Sequence, residues 1–521
     1  MMRIRFPFAL AVCLAIAPMA IASDWRAPAA YQPPVTAKVL RDATNHALPP
    51  AISQLLLDDI AVVHTYTEFV GMNKALEAAS RASSEKLLEI GRVLPIALDA
   101  AILFDAPPLL MDGFFHYTAA VASEGAYQLA LEADLEQLRP GDEIFVIDPQ
   151  VQRAHGPIDA PRTDDGFAWL PMVGGDFVVL VVRSVHDTPP PIVITALSHG
   201  YINLSEELSK EAGTKANPCN NHIACETDPE IEFLSSGIGR YVFTRGGGSS
   251  LCSGVLVNVP GTAALEPYFL TANHCVGTQA SVATMQVFWD YRAASCNGSS
   301  VPSLGSLPTS LGVTMHGTSS SFDHTMAELN SVPSGAFGRA YLGWDTATPS
   351  VGDGLIGIHH PRGSEMRISY GDVTVVEQNA TIGGTPYLSQ IRVEWFDGVT
   401  EGGSSGSPIL RTDHDLLIIG VLSNGPVHVC PEVPSSNWDR YGPFRFFFPL
   451  VQELLLASDV PEPAGPADIN GDGKVDAVDI QLVINAALGF DISPFTADVD
   501  GTGKISAIDV QMVINAALSA S

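Results

Sequence analysis

Gly403-Ser404-Ser405-Gly406-Ser407-Pro408 is a glycine-rich turn built around a serine. Upstream of it stand Thr271-Ala272-Asn273-His274-Cys275 and Phe322-Asp323-His324-Thr325-Met326. A serine hydroxyl is a poor nucleophile at neutral pH. It needs a base within hydrogen-bond reach, and the base needs an acceptor that fixes its tautomer. The three stretches offer one of each, in the chain order His, Asp, Ser: His274 as base, Asp323 as orienting acid, Ser405 as nucleophile. The glycines permit the tight turn that aims neighbouring amides at one point. The N–H groups of Gly403 and Ser405 are the expected oxyanion hole, where one donor is worth ~3 kcal/mol of transition-state stabilisation. A Gly/Ser-rich string alone usually marks a loop; the histidine motif makes this one specific. Asp345 and Asp353 compete with Asp323, but in turn-like settings where Asp is common for local hydrogen bonding. Asp323 is preferred for its apolar strand context, Phe322 before it and Met326-Ala327-Glu328-Leu329 after it.

The chain has 521 residues and 46% hydrophobic content, enough for about three domains with filled cores. Its formal charge is -30, which argues against a nucleic-acid partner, because phosphate binding needs clustered Lys and Arg. Residues 1–22 read as a signal peptide: Arg3 and Arg5, an apolar run from Phe6 to Ile16, then Ala20-Ile21-Ala22 before a start near Ser23. No later stretch reaches membrane-spanning length, so a soluble exported product is expected. Seven cysteines are present, and Cys13 leaves with the signal. The remaining six (Cys219, Cys225, Cys252, Cys275, Cys296 and Cys430) suggest three disulfides bracing one domain, with fifteen pairings open in principle.

Four regions follow the signal. Residues 23–215 contain no cysteine. Leu55, Ile60, Val63 and then Leu87, Leu88, Ile90 give residues 51–101 a helical periodicity. Strand-like runs come next: Tyr127–Leu131, Glu143–Ile147 and Phe177–Val182, after turns at Pro140-Gly141-Asp142 and Gly174-Gly175-Asp176. This reads as a small β-sandwich, a propeptide that assists folding or blocks the site, with an independent binding domain as the alternative. Residues 216–457 have many short strands broken by Gly, Pro, Asn and Ser, then a helical pattern at Phe448–Leu455, as in an all-β barrel or sandwich with a C-terminal helix. Residues 458–466 are a proline-rich linker.

Residues 467–521 hold an internal repeat at an offset of 30 residues, Asp468–Leu488 and Asp498–Leu518. Each copy reads as an EF-hand-like loop followed by a helix. Asp468, Asn470, Asp472, Asp476 and Asp479 fall at loop positions 1, 3, 5, 9 and 12, and Asp498, Asp500, Thr502, Ser506 and Asp509 do the same. Gly473 and Gly503 stand at the turn position, and Lys474 and Lys504 offer backbone carbonyls. Calcium takes six to eight oxygens, which this spacing wraps around one ion per loop, so two Ca2+ sites are expected.

Residues 216–457 resemble bacterial lysyl endopeptidases, a branch of the chymotrypsin-like serine proteases, whose catalytic residues share the His, Asp, Ser order. The resemblance rests on Cys219-Asn220-Asn221-His222-Ile223-Ala224-Cys225, on the His274 and Ser405 motifs, on Ile358-His359-His360-Pro361 and on Gly398-Val399-Thr400-Glu401. It implies a mainly β fold with a double β-barrel and a cleft between the barrels. It also implies bridges Cys219–Cys430, Cys225–Cys296 and Cys252–Cys275, the last worth ~3 kcal/mol in the chain-entropy model. Trp438-Asp439-Arg440-Tyr441-Gly442 matches the position of the family's lysine-binding acid, so the resemblance nominates Asp439 for the base of the specificity pocket, with Ser423 and Gly425 supplying backbone to the substrate. The stacked histidine and tryptophan of that family are not evident, which loosens the expected preference for Lys over Arg. Ser404 stands where trypsin has the aspartate that captures a new N-terminus; processing after Lys210 or Lys215 is expected instead.

The C-terminal repeat resembles a type I dockerin, which implies a cohesin-type scaffold or cell-surface partner. Together these readings describe a secreted precursor of a serine endopeptidase acting on polypeptides. Its β-rich prodomain precedes the double barrel, and a small α-helical dockerin-like tail follows it. No cofactor is required for catalysis, and there is no nucleic-acid partner or membrane span. The alternative is a catalytically weak, protease-like adhesion module assembled through the tail.

Overall fold

The computed structural model describes residues 25–32, 48, 50–58, 60, 63–81, 87–158, 166–204, 216–260, 265–335, 338–382, 385–428 and 437–456. It also describes 467, 469, 475, 477–489, 492, 497–499 and 504–519 in the C-terminal repeat. The signal peptide, Lys210, Lys215, Cys430, the linker 458–466, and loop positions Asp468, Asn470, Asp472, Lys474, Asp476, Asp500 and Thr502 lie outside the described residues.

Two closed six-stranded barrels hold the centre. The first consists of Ile238–Arg245, Gly248–Leu256, Tyr268–Thr271, Gln286–Phe288, Thr309–Ser319 and His324–Leu329. It closes where Gly248–Leu256 pairs with Tyr268–Thr271. The second consists of Gly354–His359, Arg367–Ile382, Thr385–Asp397, Pro408–Arg411, Leu417–Asn424 and Trp438–Pro443. It closes between its last two strands. Side chains alternate across a strand with period two, so Trp438–Pro443 sends Asp439 and Tyr441 inward while Trp438 and Arg440 stay half-buried outside. The helix Phe444–Leu455 starts four residues earlier than the sequence pattern indicates. It buries Phe444, Phe447, Phe448 and Val451 against Trp344 and Met326, a stripe of helical spacing.

Residues 63–200 form a β-sandwich, as the strand pattern suggests. Val63–Tyr66, Phe114–Ser123, Phe177–Ser184, Glu143–Asp148 and Arg153–His155 make one sheet. Gln128–Asp134, Val193–Gly200 and Leu88–Leu98 belong to the other, and Leu131, Val146, Leu180 and Leu197 lie between them. Two expectations change. The helical periodicity across residues 51–101 holds for Pro50–Asp58 and Asn73–Arg81 but not for Val63–Tyr66 or Leu88–Leu98, which are strands. Leu88 and Ile90 are buried at alternate positions, and tertiary pairing on both edges outweighs the local pattern. The sandwich is also not a separate unit: Leu88–Leu98 pairs with Gly248–Leu251, so its sheet and the first barrel are one eleven-stranded sheet.

In the C-terminal repeat the helices Ala477–Ala487 and Ala507–Ser519 share a small core of Ile469, Val483, Val499 and Val513. No helix among the described residues is long and apolar enough to cross a membrane.

Candidate active site

The three motif residues come from the ends of barrel strands. His274 follows Tyr268–Thr271, and its carbonyl accepts from Arg245 Nη1 at 2.9 Å. The disulfide Cys252–Cys275 ties the next residue to the neighbouring strand. Asp323 sits in the turn between Thr309–Ser319 and His324–Leu329, in the left-handed region at φ 60. Aspartate tolerates that region better than most residues because its side chain hydrogen-bonds locally. Ser405 lies in the turn between Thr385–Asp397 and Pro408–Arg411 of the second barrel.

Asp323 is fully buried and engages His274 twice. His274 N donates to Oδ1 at 2.8 Å, and His274 Nδ1 donates to Oδ2 at 2.8 Å. Ser423 Oγ donates to the same Oδ2 at 2.5 Å. Burial alone raises the Asp323 pKa, but the His274 charge and these donors overcome it and hold the carboxyl below its ordinary value. With the proton on Nδ1, the Nε2 lone pair of His274 is free to accept one. Ser405 Oγ is buried and makes no hydrogen bond among the described residues; the contact from His274 Nε2 runs to Cys275 Sγ at 3.7 Å. Cys252, His274 and Cys275 cluster closely enough to resemble a metal site. The two sulfurs are bonded to each other, so they cannot act as thiolate ligands. The rival acids serve elsewhere: Asp345 pairs with Arg26 and accepts from Ala347 N, and Asp353 pairs with Arg411.

The serine turn is held from both barrels. Gly403 has φ +95 and Gly406 φ +80, and a Cβ on Gly406 would stand 2.1 Å from Thr271 Oγ1. Glycine is therefore required at 406 by conformation and by space. From the first barrel, Ser253 N donates to Ser405 O at 2.8 Å and Ser253 Oγ to Gly403 O at 3.0 Å. Ser404 is fixed by a buried chain. Ser369 Oγ donates to Val399 O, His359 Nε2 to Ser369 Oγ at 3.0 Å, and Ser404 Oγ to His359 Nδ1 at 2.8 Å, while Ser404 Oγ accepts from Glu401 N. The donors and acceptors match only if His359 carries its proton on Nε2.

Asp439 is a fully buried carboxylate. Its Oδ2 accepts from Trp395 Nε1 at 2.7 Å and Thr400 Oγ1 at 2.6 Å, and His428 Nε2 lies 3.2 Å from both oxygens. A carboxylate only accepts, so His428 bears its proton on Nε2. Arg440 takes no part, because its guanidinium lies over the Trp438 ring and bonds Asn424 and Gln378. Gly425 covers Asp439, and a Cβ there would stand 1.8 Å from Oδ1. Ser253, His359, Trp395, Thr400 and His428 were not singled out as site residues from the sequence. His359 and Thr400 lie in motifs quoted above; an isolated serine, tryptophan or histidine carries no local signal.

Cys225–Cys296 and Cys252–Cys275 are bonded, and Cys219 is bonded to a partner outside the described residues. In the repeat, Asp479 and Asp509 are fully buried, and each accepts a backbone N–H from the second loop residue, Ile469 N at 2.8 Å and Val499 N at 2.9 Å. Ser506 N also donates to Asp509 Oδ2 at 2.7 Å. Buried acids turned into both loops are a donor set that suits calcium.

The two closed barrels, with these residues at their ends, make the chymotrypsin-like double barrel. Residues 214–442 match the family described as lysyl endopeptidase, C-terminal domain, and residues 466–518 match the dockerin type I domain. The lysyl endopeptidase of Pseudomonas aeruginosa is 30% identical over 291 residues, which is 53% of this chain and 60% of that protein. This chain thus spans about three-fifths of that relative's length. A secreted RxLR effector protein of Plasmopara viticola is 24% identical over 40% of this chain and 48% of its own. Among solved structures, the active form of the Rv3671c protease from M. tuberculosis covers 49% of this chain and 95% of its own at 10% identity and TM-score 0.32. The MamO protease domain of Magnetospirillum magneticum covers 41% and 95% at 13% identity and TM-score 0.28.

Proposed function

We propose that residues 216–457 are a secreted serine endopeptidase that cuts polypeptides after lysine, made as a precursor and carrying a calcium-dependent docking tail. The observation that carries the reading is the buried Asp439 beneath Gly425, in the same barrel as Ser405. A carboxylate in a low-dielectric setting attracts a cationic side chain more strongly than one in water does. Trp395, Thr400 and His428 hold it in place, and the missing Cβ of Gly425 makes room for its Oδ1. Arginine, with its wider planar head, is the second substrate class.

In this mechanism His274 Nε2 takes the Ser405 proton as Oγ attacks the carbonyl carbon. Asp323 keeps the imidazole in the required tautomer and stabilises its charged form. The oxyanion moves toward the Gly403 and Ser405 amides. His274 then passes the proton to the leaving amine, and water releases the acyl group by the same route. Lys210 or Lys215 is the proposed processing site.

In residues 467–521, Asp468, Asn470, Asp472, Lys474, Asp476 and Asp479 would hold one calcium ion. Asp498, Asp500, Thr502, Lys504, Ser506 and Asp509 would hold the other, ordering both loops for a cohesin-type partner on a scaffold or cell surface.

The test is cleavage of a mixed peptide library by the secreted protein, beside Ser405→Ala, read by mass spectrometry. Cuts after Lys that vanish in the variant are expected. Cuts unrelated to basic residues would remove Asp439 from its role, and no cuts by processed protein would leave the barrels a peptide-binding module.

A further inference from the structure

We propose that residues 25–204 remain bound to residues 216–456 after the connecting segment is cut, as a permanent second chain of the enzyme and not a detachable pro-segment. The inference stands on packing and does not rest on the peptidase reading.

The N-terminal region packs against the first barrel and against the segment that joins the two barrels. The stretch 25–32 pairs with that joining segment. Arg26–Ala27 pairs with Trp344–Asp345, and Ala30–Gln32 pairs with Arg339–Tyr341. Trp25 N donates to Thr346 Oγ1 at 2.7 Å, Thr346 N returns a bond to Trp25 O, and Asn258 Nδ2 donates to Pro28 O at 2.7 Å. Ala27 is fully buried in the same core as Trp344 and Phe448. The backbone opposite is shaped to it, since a Cβ on Gly343 would stand 2.2 Å from Ala27 O.

The first barrel receives a whole strand. Leu88–Leu98 pairs with Gly248–Leu251 and continues through Val93 N donating to Gly247 O at 2.9 Å. Met172 N donates to Gln286 Oε1 at 2.7 Å in a buried position, and Ser198 Oγ bonds Ser249 Oγ at 2.7 Å. Between the two regions lies one apolar core to which both contribute, Leu88, Ile90 and Tyr201 from one side and Val242, Leu251 and Phe288 from the other.

Removal would bare an edge of Gly248–Leu256, a strand buried at every position, and would open that shared core. An unpaired apolar strand edge is a template for association with other chains. The location of these contacts also matters. Among the described residues, residues 25–204 make no hydrogen bond to His274, Asp323 or Ser405. The N-terminal region binds the outer faces of the barrels and not the catalytic side chains, which suits a retained structural partner better than a removable plug.

The experiment uses the full chain carrying Ser405→Ala, with the recognition sequence of an unrelated site-specific protease placed between residues 205 and 215. After complete cutting, the sample is diluted to about 10 nM and examined by gel filtration and native mass spectrometry. One-to-one co-elution and a single thermal transition matching the uncut protein are expected. Release of the N-terminal piece, whether or not the remainder stays folded, would overturn the proposal. Because the serine is absent, that result would say nothing against the peptidase reading, and a failed library digest would say nothing against retention.

Discussion

Gly425 lies directly over the buried Asp439, so close that a methyl group at 425 would stand 1.8 Å from Oδ1. The contact makes the position of the Asp439 carboxylate sensitive to one atom. Gly425→Val should cut kcat/KM for lysyl substrates by ~100-fold or more, an effect of about 3 kcal/mol on the transition state. Labelling of Ser405 by a small phosphonate should continue at close to the parent rate. Loss of both together would mean that the turn, not the pocket, had moved.

Ser405→Ala should abolish turnover, and Asp323→Asn should lower kcat by ~10⁴-fold through the wrong imidazole tautomer. Steady-state kinetics on a lysyl ester, with circular dichroism to verify folding, checks both. An Asp323→Asn protein within tenfold of the parent would return Asp345 and Asp353 to consideration.

The acid range tests the same carboxyl through stability. The folded pKa of Asp323 lies below its ordinary value. Its contribution is therefore present above the unfolded pKa of about 3.9 and is lost as pH falls through the lower folded value. The Tm difference between parent and Asp323→Asn should be largest above about pH 5 and shrink toward pH 2. A difference that grows on acidification would contradict the ion pair.

His359 holds Ser404 through its Nδ1. His359→Ala leaves a buried hydroxyl without its partner beside the oxyanion turn. A kcat loss of roughly tenfold with KM little changed is expected, from about 1–2 kcal/mol of lost positioning. A change confined to KM would place the effect in substrate binding.

Calcium removal should act on the tail alone. Chelation, or Asp479→Ala with Asp509→Ala, should lower the far-UV helix signal and the Tm of residues 467–521, because either change takes apart the proposed calcium sites. Peptidase activity should be unchanged. Calorimetric titration should return two sites per chain, and one site would halve the repeat's expected role.

Several parts of this picture were legible from residues in sequence. His274, Asp323 and Ser405 sit in short frames whose glycines, cysteine and apolar neighbours are local properties. The repeat's acids are read from spacing, and short apolar runs such as Glu143–Ile147 name themselves as strands. Other parts depend on distance in space. Ser253 meets the Gly403–Ser405 turn from 150 residues away, and His428 reaches Asp439 from a loop of no distinctive composition. Leu88–Leu98 has a pattern compatible with a helix, and it becomes a strand because Gly248–Leu251 and Val193–Gly200 offer two edges to pair with.

What the residues pointed to by themselves was chemistry at short range: a candidate nucleophile and base in fixed order, and oxygen ligands at calcium spacing; the acid for a cationic side chain came from the family resemblance. Only the tertiary structure decided what supports them. It joined one N-terminal sheet to the first barrel, gave Ser423 to Asp323 and closed Asp439 in beneath Gly425. Hydrogen bonds and packing between segments from 14 to about 160 residues apart depend on how strands find partners, which no local period or motif encodes.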